Sequence, residues 1–176
     1  NHFYNELCKL EVIEKIKGFR AKHGLIPDRE HASTLESQSS KKIHQISYFI
    51  YKMTVNEDQF CDELKIPNDY RDLAKLLRHC ETDIKNYYPE KDRYDELLEL
   101  VDKLDIRKTE RLRNFFECIL IDDDKKKFFE SLIEKIKNFR LNDEDQKKPK
   151  DEIIEIIRNR HREIAQVHIE SYLESQ

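Results

Sequence analysis

Apolar residues recur every three or four positions along almost the whole chain, the spacing that puts them on one face of a helix. From about Phe3 to Lys22 the stripe is Phe3, Leu7, Leu10, Ile13, Ile16 and Phe19. Gly18 interrupts this helix and Gly24 suits the position just past its end. Pro27 restarts the chain, and Asp28 and Glu30 fit the first turn of a short polar helix ending near Gln38. Ser39 or Ser40 can cap the next, whose inward residues are Ile43, Ile46, Phe49, Ile50 and Met53. Asn56 followed by Gln59 has the form of a capping box. The helix it opens holds Phe60, Cys61 and Leu64 and stops at Pro67. Asn68 then caps a helix with Tyr70, Leu73, Leu76, Leu77, Cys80 and Ile84 inward, and Pro89 ends the block.

The pattern resumes with Tyr94, Leu97, Leu98, Val101 and Leu104, then Leu112, Phe115, Phe116, Ile119 and Leu120. Asp122 or Asp123 caps a helix carrying Phe128, Phe129, Leu132, Ile133, Ile136 and Phe139. Residues 141–150, LNDEDQKKPK, have no apolar period and read as a loop. A last helix from about Asp151 to Leu173 carries Ile153, Ile154, Ile157, Ile164 and Val167. The reading is all-α: antiparallel helical bundles, with one module over residues 1–88 and a second over 89–176.

Composition supports this. Two glycines and four prolines are too few for the tight turns of an all-β fold, and 40% charged residues suit short helices with a large solvated surface. The net charge of -4 gives no global basic field for nucleic acid or an acidic membrane. No apolar run is long enough to span a bilayer. Cys8, Cys61, Cys80 and Cys118 form no C-x-x-C pair and read as buried thiols in a reducing, cytoplasmic setting. A chain starting at Asn1 reads as a piece of a longer protein.

One stretch carries a family resemblance. Gly24-Leu25-Ile26 sits at a turn after the first helix, Ser39-Ser40-Lys41-Lys42 at a joint, then Phe60-Cys61-x-x-Leu64 and Leu73-Ala74-x-Leu76-Leu77. In that order these steps resemble the caspase-recruitment (CARD) type of death-fold module. The resemblance implies a six-helix first module that binds another CARD or itself, in apoptotic or innate-immune signalling. It also implies an acidic patch of Glu57, Asp58, Asp62 and Glu63 facing a basic patch of Arg29, Lys41, Lys42 and Lys52. The second block shows none of these steps; as a second death fold it would make a tandem resembling RIG-I-like RNA-sensing helicases. A structural helical domain docked on a larger enzyme is the alternative.

Chemistry-bearing patterns are sparse. His161 and His168 share a helix face, but two histidines fall short of a zinc site. Arg162 to His168 has the R-x5-H spacing of HEPN-type ribonucleases, a further alternative, with Glu163 where it would repel phosphate. Arg158, Arg160 and Arg162 lack an aromatic stacking platform. Asp122-Asp123-Asp124 lacks the Gly and distal Glu of a calcium loop. The expectation is a non-catalytic module with no metal, no cofactor, no membrane partner and no nucleic-acid partner of its own.

Overall fold

The computed structural model describes residues 42–53 and 56–175. Among them are seven α-helices and no strand, so the chain is all-α as expected. The helices are α1 (Lys42–Met53), α2 (Glu57–Glu63), α3 (Asn68–Asn86), α4 (Tyr94–Leu104), α5 (Thr109–Cys118), α6 (Asp123–Asn138) and α7 (Lys150–Glu174). A 3-10 turn, Asp145–Lys147, precedes α7. The first predicted helix, the short polar helix after Pro27, and the Gly24 and Ser39–Lys41 joints lie outside the described residues.

The helices group into two compact units that interleave along the chain. One holds the residues up to Glu81 with Lys108–Leu120; the other holds Thr82–Arg107 with Ile121–Gln176. The sequence reading placed a single boundary at residue 88 instead. The difference comes from α5, which packs on α1 although fifty-five residues of other structure separate them.

In the first unit, Phe49 and Ile50 of α1 pack with Phe60 and Cys61 of α2 and Ala74 of α3. Asn56 caps α2: its side-chain oxygen accepts from the Gln59 amide at 3.0 Å. Among the described residues the return half of the capping box is not made; the Gln59 side chain instead donates to Glu63 at 3.3 Å. At its other end α2 closes with a Schellman motif. The Ile66 amide donates to the Cys61 carbonyl at 2.8 Å and the Lys65 amide to Asp62 at 3.3 Å. Ile66 then packs on the apolar cluster. The motif needs a left-handed residue, and Lys65 takes it at φ 52° where glycine would be free of strain. Leu64, expected inward, is left exposed.

In the second unit, α4 and α6 pack against α7. Asp122 caps α6, accepting from the Lys125 amide at 2.7 Å. The core is aromatic: Tyr87 lies 6.2 Å from Phe128 and 5.7 Å from Phe129, ring centre to ring centre. Its hydroxyl donates to the Arg93 carbonyl at 3.4 Å. The buried residues of α7 are Ala165, His168 and Ile169. Val167 and Ile154, expected inward, are exposed. The run Ile153-Ile154-x-Ile156-Ile157 fits more than one helix face, and contact with α4 and α6 selects among them.

Two stability outcomes follow, read by urea denaturation. Lys65→Gly relieves the left-handed strain and stabilises by about 0.5–1 kcal/mol; a loss of stability would contradict the Schellman assignment. Phe129→Ala, at a fully buried ring, costs roughly 3–5 kcal/mol, whereas Ile154→Ala stays within about 0.5 kcal/mol.

Candidate functional site

The charged face of α2 and α3 in the first unit is where most of the described patch residues lie. α2 starts with Glu57 and Asp58 because carboxylates suit the positive end of a helix. α3 lays Arg71, Lys75 and Arg78 along one side at steps of three or four. The two rows meet. Asp58 accepts from Lys75 at 2.6 Å and from Arg71 at 3.3 Å. Asp62 pairs with Arg71, and Glu57 with Arg78. The hydrogen bond from Lys75, ahead of the other charges, holds the Asp58 carboxyl below its usual range.

Glu57 and Glu81 are both buried. Arg78 joins Glu57 to the backbone of α1, donating to the Tyr51 carbonyl at 2.7 Å. Its guanidinium also lies 5.5 Å from the Tyr51 ring centre. Lys52 pairs with Glu81 at 3.4 Å and sits 4.3 Å from the Tyr51 ring centre. Tyr51 donates its hydroxyl to Glu81; burial first, and that bond second, push its pKa well up.

Lys52 from the expected basic patch and Glu57, Asp58 and Asp62 from the acidic one are thus held by other side chains of the same unit. Among the described residues Glu63 receives only the Gln59 amide bond described above, and Lys42 is exposed at the start of α1. Arg29 and Lys41 lie outside the described residues. Sequence reasoning missed the α3 partners. The row Arg71, Lys75, Arg78, set beside the acidic α2, was the available signal.

Other polar groups are built into the packing. In the first unit His44 is fully buried, with Nε2 donating to Asn114 at 3.0 Å and lying 3.4 Å from Glu117. A cleft of about 580 Å³ beside it mixes both signs of charge, with Asp72 and Lys108 paired at 3.4 Å. In the second unit the R-x5-H pair is taken up structurally. Arg162 donates to Asp95 at 2.8 Å. His168 Nε2 lies 2.9 Å from the Phe128 carbonyl, which can only accept, so that nitrogen carries the proton. Nδ1 then accepts from Lys135 at 3.0 Å. Both ring nitrogens thus have partners within the unit. Among the described residues no group of three or more His, Cys, Asp or Glu could hold a metal ion. No described helix is long and apolar enough to cross a membrane.

No family model matches the chain, and no solved structure matches it. Over 65 residues, 36% of the chain, it is 42% identical to the multifunctional CCA protein of Shewanella denitrificans. The match spans only 15% of that relative's length. This overturns the expected function in CARD-type signalling assembly: the similarity is to a small part of a CCA protein, which fits the alternative of a helical domain in a larger enzyme.

Burial lowers the pKa of His168, with Lys135 adding to the shift and the bond to Phe128 opposing it; burial also lowers that of His161. Below about pH 6.5 the unfolded chain binds protons that these folded imidazoles refuse. Stability therefore falls as pH drops from about 6.5 toward the depressed folded values. His168→Gln flattens this slope in pH-dependent urea denaturation, and His161 supplies the remainder. An unchanged slope would contradict the assignment of His168 as a neutral, proton-donating ring.

Proposed function

We propose that this chain is a helical docking domain of a larger enzyme of the CCA-protein kind, without catalysis of its own. The observation that carries the reading is the 65-residue match at 42% identity, placed within a relative of which it forms 15%. The internal pairing of the α2–α3 charges supports it, since a face whose carboxylates already hold cations has little electrostatic reason to recruit a copy of itself. The buried thiols of Cys61, Cys80 and Cys118 suit a reducing cytoplasmic location for that enzyme.

Docking would use shape and apolar contact more than charge. On this reading the chain supplies stable helical surface, and the rest of the enzyme supplies the reacting groups. Sedimentation velocity on the isolated chain, at salt below and above the physiological range, is expected to give a monomer throughout. Concentration-dependent growth into long assemblies would overturn the docking reading. Incubation with RNA and labelled nucleoside triphosphates is expected to give no incorporation; incorporation abolished by a substitution in the chain would make it catalytic.

A further inference from the structure

A cleft of about 560 Å³ opens between α6 and α7 of the second unit. Lys127, Ser131 and Lys135 line it from successive turns of α6, and His168 and Tyr172 from α7. The spacing of four residues puts each set on one face of its helix. The cleft contains a charge that the fold does not neutralise. The Lys135 ammonium has three N–H donors. One goes to His168 Nδ1, which must be unprotonated to accept it; with its one proton on Nε2, facing the Phe128 carbonyl, His168 is neutral. Among the described residues no carboxylate lies within ion-pair distance of Lys135. This contrasts with Arg71, Lys75 and Arg78 of the first unit, each of which faces a carboxylate.

Further donors surround it. Lys127 is 3.8 Å from Asp124, a long and exposed pair that leaves its ammonium available. Ser131 and Tyr172, each carrying a hydroxyl, line the cleft. Ser171 and Ser175 also line it, but their protons go to the Val167 and Tyr172 carbonyls. Among the described residues Asp124 is the one carboxylate that lines the cleft, against Lys127 and Lys135, so their balance is positive.

Several dispersed donors around one unneutralised ammonium suit an anion with several acceptor oxygens. The volume exceeds what a bare phosphate needs, and the half-buried Tyr172 ring supplies a flat apolar wall. We propose that this cleft binds a phosphate group carried on a nucleotide, with Lys135 as its principal contact and Lys127, Ser131 and Tyr172 as accessory donors. This departs from the sequence-based expectation of no nucleic-acid partner, which weighed the net charge and the arginines of α7 but not Lys127 and Lys135. It stands independently of the docking reading, since either can fail alone.

The test is an amide-resonance titration of the whole chain with AMP, inorganic phosphate, adenosine and an oligoribonucleotide without terminal phosphates, at matched ionic strength. AMP and inorganic phosphate are expected to shift Ser131, Lys135, His168 and Tyr172, and adenosine is not. Lys135→Gln weakens AMP binding by about tenfold or more, and Ser131→Ala weakens it less. Lys91→Gln, the same charge loss at an exposed site outside the cleft, leaves binding unchanged. Shifts with the oligoribonucleotide assign strand phosphates as the source, and their absence assigns a terminal monoester. Equal binding of AMP and adenosine, shifts scattered outside the cleft, or equal losses in Lys135→Gln and Lys91→Gln would overturn the proposal.

Discussion

A chain in which 40% of the residues are charged can bury a core only if the charges at its edge find partners. Burying an unpaired carboxylate costs several kcal/mol, on the order of the net stability of a small domain. The first unit places Glu57 and Glu81 in that position. Arg78 and Lys52 answer them, and both cations lean on Tyr51. Arg78 also reaches the Tyr51 carbonyl, so one side chain ties α1, α2 and α3 together. The packing of Phe49, Ile50, Phe60 and Ala74 behind it needs these three helices held in that register. The second unit meets the same demand differently. There a buried imidazole stays neutral between a backbone carbonyl and a lysine, and Phe128, which packs with Tyr87 and Phe129, lies 4.7 Å from it, ring centre to ring centre.

What the sequence shows well is local. The helices, the Asn56 and Asp122 caps and the apolar faces of α4, α5 and α6 can all be read from spacing, because each depends on residues within a turn or two. The Schellman end of α2 is harder to see, since Lys65 stands where a glycine would announce it. The inward face of α7 is ambiguous because its isoleucines crowd together, and only contact with other helices chooses among the faces. The pairing of α1 with α5 is a matter of tertiary packing and leaves no local trace.

The site is less legible than the fold for the same reason. Acidic residues of α2 look like a free surface when α2 is read alone. They become internal partners once Arg71, Lys75 and Arg78 are set beside them. A resemblance built from helix order and short joints describes a bundle and says little about what its surface meets. Two of the four basic residues in that resemblance, Arg29 and Lys41, lie outside the described residues, and a third, Lys52, is engaged by Glu81. The CCA relative moves the functional question from assembly of like with like to service within a longer enzyme.

The most direct test of this account is a double-mutant cycle between Glu57 and Arg78. Stability is measured by urea denaturation for Glu57→Gln, Arg78→Met, the double variant and the parent chain, with helix content checked in each. If this pair anchors the charged face, the two substitutions are strongly non-additive, with a favourable coupling of roughly 1–3 kcal/mol. Additive effects, with a coupling indistinguishable from zero, would show that the face is an ordinary solvated surface and contradict the account.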